Sequence, residues 1–334
     1  MRSITPLDVS IIVVSYNTNA MTRAALDSVL AQTHTVSYEV IAVDNASRDG
    51  SADMIAAHPV NARLIRLHEN IGFARANTLA AKFARGRLLL LLNPDTVVLD
   101  GAIDKLVAFA RANPRARIWG GRTLFANGAL NPSSCWGKMT VWNQICRAFG
   151  LTGVFRDIEF FNAEAIGGWK RDSVRRVDIV SGCFFLIEKE LWDGLNGFDP
   201  LFFMYGEEAD LCLRAHAFSA RPLVTPDATI IHHGGASENV RSDKMVRLLA
   251  AKMSLIMRHF HPAAAPFGRF FLALWPLSRS GATSLIAFVT RSPSALEAAA
   301  TWREVWRRRR EWIGGYLPQP TVSRAPALYA PSPM

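Results

Sequence analysis

The sequence predicts an α/β protein built on a mostly parallel, Rossmann-like central sheet flanked by helices. Two patterns carry that expectation. In the first third of the chain, short apolar runs alternate with helical patterns, the mark of βα units. Three of those runs end in polar clusters, Ser15-Tyr16-Asn17, Asp44-Asn45-Ala46-Ser47 and Asn93-Pro94-Asp95, and open α/β sheets bind ligands outside the carboxyl ends of their strands. With 334 residues, half of them hydrophobic and a fifth charged, the chain can bury the core of one large or two modest domains.

The elements follow in order. Val9–Ser15 is apolar enough for a buried strand, and Thr18 or Asn19 can cap a helix in which Leu26, Val29 and Leu30 recur at helical spacing. A strand at 39–44, a short helix at 51–57, a strand at 64–67 and a helix at 73–84 lead to the fully apolar central strand Leu88–Leu92. Residues 125–176 are rich in Gly, Trp and Asn and show no periodicity that predicts an element. The pattern resumes with an apolar run over 177–187, a short helix at 188–195 and a helix through His216. A strand ending at Ile231, a His-His-Gly-Gly turn and a long helix from beyond Glu238 to about Phe260 precede a C-terminal helical extension.

The net charge of +10 is unevenly placed. Residues 1–240 hold 24 Lys and Arg against 24 Asp and Glu, so the excess lies beyond them, 14 basic against 4 acidic, including Arg307, Arg308, Arg309 and Arg310. A nucleic-acid binder carries its positive field on the folded domain that grips the phosphates, so no nucleic-acid partner is expected. A basic, Trp-rich terminal segment suits an anionic membrane surface; a solvated basic helix is the plainer alternative. The apolar stretch 270–289 is interrupted by Pro276, Arg279 and a Ser/Gly/Thr cluster, so it falls short of the ~20 apolar residues of a membrane span and reads as surface-associating at most. Four irregularly spaced cysteines, and a first apolar run after Arg2, Val9 to Val14, too short for a signal segment, lead to the expectation of a cytoplasmic chain, peripheral at the inner face of the cell membrane.

Several residues could carry chemistry, and each also has a structural explanation. Asp95 follows the strand Leu88–Leu92, where a carboxylate would project as a hard ligand for Mg2+ or Mn2+, or merely start a turn. Asp44 can accept from a nucleobase N–H or a ribose hydroxyl, or close an Asx-turn. Gly72, in Asn70-Ile71-Gly72-Phe73, permits close backbone approach to phosphate at a helix start, and Arg75 and Asn77 either face the same ligand or are plain helix residues. Glu207, Glu208 and Asp210 compensate a helix dipole or supply a base whose pKa the apolar Phe202, Phe203, Met204 and Tyr205 raise. His232 or His233 is a metal ligand or a structural histidine.

Taken in order, Val-Ser-Tyr-Asn, Val-Asp-Asn-Ala-Ser-Arg-Asp-Gly-Ser, Asn-Ile-Gly-Phe-Ala-Arg-Ala-Asn, Leu-Leu-Asn-Pro-Asp, Gly-Phe-Asp-Pro-Leu-Phe-Phe-Met-Tyr-Gly-Glu-Glu-Ala-Asp-Leu-Cys-Leu-Arg and His-His-Gly-Gly-Ala-Ser resemble family 2 glycosyltransferases, most of all bacterial rhamnosyltransferases of cell-wall and O-antigen assembly. The resemblance covers about residues 8–260. It implies a GT-A fold, a nucleotide-sugar donor, a divalent cation and inversion at the anomeric carbon. Asp44 would match the nucleotide-binding aspartate, and Asp95 the last, metal-binding position of the D-x-D motif, whose first acid is here Asn93. Glu207 and Glu208 fall on the Glu-Asp pair that holds the acceptor-activating base, with Glu207 preferred, and His232 on a position where some relatives place histidine on the metal.

The expectation is therefore a catalytic domain over 8–260, with a nucleotide-binding half to about 122 and an acceptor half from 123, followed by a basic helical tail at 261–334. The donor site would comprise Ser15, Tyr16, Asn17, Asp44, Asn45, Asn70, Gly72, Phe73, Arg75, Asn77, Asn93 and Asp95. The sugar expected from the resemblance is rhamnose from dTDP-rhamnose, and the acceptor a glycan or a polyprenyl-linked glycolipid. The rival is a non-catalytic nucleotide- or polysaccharide-binding protein on the same fold.

Overall fold

The computed structural model describes residues 7–234, 240–317 and the pair Ala327–Leu328. Strands β1 (Val9–Ser15), β2 (Tyr38–Asp44), β3 (Arg63–Arg66) and β4 (Leu88–Leu92) form a parallel block in the order β3-β2-β1-β4. All seven residues of β1 and all five leucines of β4 are buried. Both faces of these strands are covered, so they read as continuous apolar runs rather than alternating ones. Alternate residues still separate: Ile11 and Val13 join one apolar cluster with Leu26 and Leu106, while Ile12 and Val14 join another with Phe185 and Phe198.

Helices α1 (Asn19–Gln32), α2 (Ser51–Ala56) and α3 (Phe73–Ala81) link the parallel strands. In α1 the buried stripe is Thr22, Ala25, Leu26 and Val29; Leu30, expected on it, is 43% exposed because it lies a further ~100° round the helix. Strands β5 (Thr96–Val98), β6 (Ile118–Leu124), β7 (Phe184–Glu188) and β8 (Leu223–His232) extend the sheet in the order β4-β7-β6-β8-β5. β7 enters antiparallel to β4 and β6, β8 is parallel to β6 and antiparallel to β5, and helix α4 (Ala102–Ala112) packs on β8 and β6. β9 (Ala327–Leu328) pairs antiparallel with β3.

The stretch 125–176, where no element was expected, contains helix α5 (Val141–Ala148), capped by Thr140 accepting from the Asn143 N–H, and the short α6 (Leu151–Val154). α5 buries Asn143, Gln144 and Cys146, so its inward face is partly polar and gives no apolar stripe to read. α7 (Lys189–Gly194) and α8 (Glu207–Ala215) follow β7.

The chain ends in α9 (Arg241–His259), α10 (Ala265–Thr290) and α11 (Pro293–Arg307), which share a small core of Leu249, Met253, Ile256, Leu272, Val305 and Trp312. Two expectations change here. The stretch 270–289 is not interrupted: α10 runs unbroken through Pro276, and by length and composition it is apolar enough to cross a membrane, with a mean hydropathy of 1.2. Its hydroxyl groups donate locally, Thr283 Oγ1 to the Arg279 carbonyl at 2.7 Å and Ser278 Oγ to the Trp275 carbonyl at 2.9 Å, instead of breaking the helix. The tail tryptophans are also not spread for a surface, because Trp312 is fully buried and Trp275, Trp302 and Trp306 pack against the same core. Of the segments read from sequence, Arg2, Glu238 and the Gly235, Ala236 and Ser237 end of the His-His-Gly-Gly-Ala-Ser motif lie outside the described residues.

Candidate active site

The parallel register brings the ends of β1, β2 and β4 side by side, with Ser15 opposite Asp44. Above them opens a cavity of about 1020 Å³, lined on this side by Tyr16, Thr18, Asn45, Asn70, Gly72 and Phe73. Asn45 fastens the end of β2 to the start of α3: its Nδ2 donates to Asn70 Oδ1 and its Oδ1 accepts from the Ile71 N–H, both at 2.9 Å. Asp44 is 3% exposed; one carboxylate oxygen accepts from the Ser47 N–H, and the other has no protein partner. It does not line the cavity wall but sits beneath it.

Other expected donor residues have local work. Ser15 is buried in a hydroxyl cluster with Thr18 and Thr22, and Asn17, at φ +52°, accepts from the Arg48 N–H at 2.8 Å. Asn77 turns its amide back to the Phe73 carbonyl at 2.9 Å, and neither it nor Arg75 lines the cavity. Gly72 lines the cavity and also meets a neighbour within the protein. It has φ +84°, but the backbone that approaches it is the protein's own: a Cβ there would lie 2.5 Å from the Phe203 carbonyl oxygen, which accepts the Phe73 N–H at 3.0 Å. The motif thus clamps the loop that carries the acid pair. Gly72→Ala is expected to cost about 1–3 kcal/mol of stability through positive-φ strain and that clash, measured as a lowered midpoint in urea.

On the opposite wall, β8 pairs with β5 so that His232 faces Thr96. This puts Asp95 beside the imidazole, with Oδ1 3.4 Å from Nε2 and Oδ2 accepting the Gly234 N–H at 3.0 Å. Burial opposes the Asp95 charge, but His232 and the Gly234 N–H outweigh it and hold the carboxyl below its usual range. Burial likewise opposes an imidazolium, yet Cys183 and Asp95 push His232 up to about 10. Asn93 Oδ1 and His232 Nδ1 are buried without a partner. Among the described residues no three His, Cys, Asp or Glu side chains cluster to hold a metal. A hard cation at Asp95 would take the place of the proton that the carboxylate holds on His232, leaving a neutral imidazole beside Asn93 and Asp95 as a third ligand, with the remaining oxygens from a diphosphate and water.

The acid pair opens α8. Tyr205 at φ +72° and Gly206 at φ +91° turn the chain sharply into the helix, an entry that no composition signal reveals. Glu207 is 4% exposed and Glu208 half-buried, both line the cavity, and each has a carboxylate oxygen without a hydrogen-bond partner. Burial, then the neighbouring Glu208, raises Glu207 well above the usual carboxylate range; burial raises Glu208 too, to about 7. Asp210 does different work. Arg214, His259 and Arg258 hold its fully buried carboxylate at 2.7, 2.9 and 3.2 Å, and His259 and Arg214 outweigh burial to keep it ionised. Sequence reasoning missed the cations that line the far end of the cavity, among them Arg147 and Lys252.

The family model described as glycosyl transferase family 2 matches residues 10–177. The O-antigen biosynthesis protein RfbC of Myxococcus xanthus is 31% identical over 242 residues, covering 69% of this chain and 17% of that protein. The N-acetylglucosaminyl-diphospho-decaprenol L-rhamnosyltransferase of Mycobacterium tuberculosis is 25% identical over 212 residues, 58% of this chain and 66% of its own length. This chain therefore spans less than two thirds of either relative. Among solved structures, the mannosyltransferase PcManGT of Pyrobaculum calidifontis, in complex with GDP-Man and Mn2+, superposes with a TM-score of 0.57 at 16% identity, over 92% of this chain and 88% of that one. GalNAc-T7 with UDP, GalNAc and Mn2+ gives 0.56 at 16% identity, over 83% and 52%. The fold is GT-A.

Proposed function

Because the chain belongs to glycosyl transferase family 2, we propose that it transfers a sugar with inversion, in a metal-dependent reaction, from a nucleotide-sugar donor to a glycan or polyprenyl-linked glycolipid acceptor of a cell-surface polysaccharide. The proposed sugar is rhamnose from dTDP-rhamnose, by analogy with the rhamnosyltransferase relative. The observation that carries the reading is a buried carboxyl pair of raised pKa facing, across one cavity, the Asp95, His232 and Asn93 corner. A non-catalytic binding protein would have no use for two partnerless buried carboxylate oxygens.

The nucleotide would sit over the ends of β1 and β2, with Asp44 and Tyr16 at the nucleoside, and the diphosphate would reach the corner at Asp95. Asp95, His232 and Asn93 would hold a divalent cation there, which supplies charge neutralisation to the leaving diphosphate. A carboxylate of the acid pair takes the acceptor hydroxyl's proton as that oxygen attacks the anomeric carbon. The bond to the diphosphate oxygen breaks on the opposite face and its electron pair leaves with the nucleotide. Sequence favoured Glu207 as the base; we assign the role to Glu208 instead. A base works best with a pKa near the working pH, and burial raises Glu208 to about 7.

Asp95→Ala is expected to abolish the Mn2+ dependence of nucleoside-diphosphate binding, measured by titration calorimetry with and without Mn2+. Unchanged metal-dependent affinity in this variant would remove Asp95 from the metal site. A thermal-shift panel of nucleotide sugars with Mn2+ identifies the donor, since a ligand held at 100 times its Kd stabilises by about 2.7 kcal/mol. Membrane attachment belongs to the same proposal, and its support is the outer face of α10.

A further inference from the structure

Beyond α11 the chain turns back and reaches the acid pair from behind. Trp312 is buried in the tail core, its Nε1 donating to the Val305 carbonyl at 3.0 Å. The Gly315 N–H donates to the Trp312 carbonyl at 3.0 Å, and Gly315 stands at φ +74°, a left-handed conformation that favours glycine. A Cβ there would lie 2.7 Å from Ser254 Oγ, so the turn runs close against α9. Tyr316 follows, with its N–H donating to that same Ser254 Oγ at 2.8 Å. Its ring meets Phe202 edge-on at 5.9 Å between centroids and packs against both the sheet core and the tail core. Its hydroxyl donates to the Met204 carbonyl, with the Arg247 carbonyl of α9 a longer second acceptor at 3.4 Å.

Phe203 and Met204 are consecutive in the loop that enters α8, and their carbonyls take different partners. Phe203 accepts from the Phe73 N–H at the start of α3, on the donor side, while Met204 accepts from Tyr316 in the tail. Three residues after Met204 the chain presents Glu207, and then Glu208, to the cavity. Gly206, between them and the clamp, is packed so that a Cβ would lie 3.2 Å from Ala251 Cβ on α9. Each carboxyl leaves one oxygen without a hydrogen-bond partner, so side-chain bonds alone do not set its direction. The backbone must, and two successive carbonyls hold that backbone. Tyr316 is not among the residues lining the cavity, so it acts on the carboxyls only through the loop.

We propose that Tyr316 is a positioning residue for the acid pair: its hydroxyl holds the Met204 carbonyl and so sets the direction in which Glu207 and Glu208 face the acceptor. The segment beyond α11 is then part of the catalytic apparatus as well as of the helical extension. The inference rests on the sugar-transfer reading for what the acid pair does, but the clamp is tested without substrate. A packing role alone would make Tyr316 one more side chain of the tail core. The two roles differ in reach, because lost packing loosens α9 and α11 together, whereas a lost clamp opens one loop.

Tyr316→Phe removes the hydroxyl and keeps the ring against Phe202. Amide hydrogen exchange, followed by mass spectrometry on the full chain without nucleotide, is expected to quicken about tenfold over residues 203–208, as the loss of one hydrogen bond from a loop would give. Peptides from β1, β4, α9 and α11 should exchange at wild-type rates. With dTDP-rhamnose and Mn2+, and water in the acceptor's place, kcat for dTDP release should fall about tenfold while KM stays within about twofold. Ser254→Ala, which releases the Tyr316 N–H and spares the hydroxyl, should move both readouts the same way by less. Unchanged exchange over 203–208, quickening spread equally over α9 and α11, wild-type turnover, or a loss carried by KM instead of kcat would overturn the positioning role. Failure of the wild-type protein to release dTDP would instead overturn the rhamnose-transfer reading, and the exchange result would decide the clamp by itself.

Discussion

Glu208→Gln is expected to lower kcat by about 10³-fold while leaving the Kd for nucleotide donor within a factor of two, because the variant loses proton abstraction and little else. The side chain keeps its size, its place at the start of α8 and its neighbours, so binding energy on the donor side is untouched. Glu207→Gln is expected to cost far less turnover, since burial and then the neighbouring Glu208 raise Glu207 well above the usual carboxylate range and favour its neutral form, which glutamine mimics. In the wild-type protein, kcat should rise with pH through about 7 as Glu208 loses its proton. Stability should move the other way. Both carboxyls bind protons more tightly folded than unfolded, so their cost is absent below the usual glutamate range and grows as pH rises toward their folded values. Glu207→Gln should therefore melt at the same temperature as wild type near pH 4 and at a higher one near pH 8. Loss of turnover in Glu207→Gln with its retention in Glu208→Gln would exchange the two roles.

The parts of the site that were legible in sequence are those fixed by strand ends. A buried parallel strand must be apolar along its length, so β1, β2 and β4 announced themselves, and the first polar residues after them, Tyr16, Asn45, Asn93 and Asp95, could only fall at the crevice. What failed were inferences about direction. Asn77 and Arg75 lie on the right helix, but nothing in their spacing says that Asn77 turns to the Phe73 carbonyl. Gly72 was correctly identified as a close approach, but its partner, the Phe203 carbonyl, lies 131 positions on, and single-sequence patterns carry no such contact. α5 is short, and the side it buries includes Asn143 and Gln144, so the apolar positions Val141 and Ile145 do not mark its buried face. The cation wall was missed for a related reason. Arg147 lies far from Lys252 in sequence, and only the packing of α5 against α10, and of α10 against α9, brings the two together.

The second large effect expected is on membrane attachment: a Phe270→Asp/Phe288→Asp variant should lose binding to anionic vesicles that the wild-type protein binds. The side of α10 turned to its neighbours is made of Gly268, Leu272, Pro276 and Ala287, while Phe267, Phe270, Leu277, Leu285 and Phe288 are 60, 62, 42, 65 and 75% exposed. Steps of three, seven, eight and three residues keep those exposed side chains near one face, along ~30 Å of helix at 1.5 Å per residue. Large apolar side chains left exposed along one face of a helix form a patch of the kind that marks an interaction surface. Phe149, Val154 and Phe160, exposed on and beside α5 and α6, widen it, with Phe149 6.3 Å from Phe271 between ring centroids. A bilayer fits because such side chains gain about 1.5–3 kcal/mol each when fully removed from water, and because each nearby Lys or Arg adds about 1 kcal/mol toward anionic lipid. Deleting residues 262–334 would be a poor test, since it strips Leu272, Val305 and Trp312 from the core of α9. The two-residue variant leaves that core intact. Wild-type protein is expected to co-sediment with vesicles containing anionic lipid, with high salt releasing part of it and the apolar face retaining the rest. The variant should stay in the supernatant with its nucleoside-diphosphate affinity unchanged, and equal sedimentation of variant and wild type would show that α10 does not face the lipid.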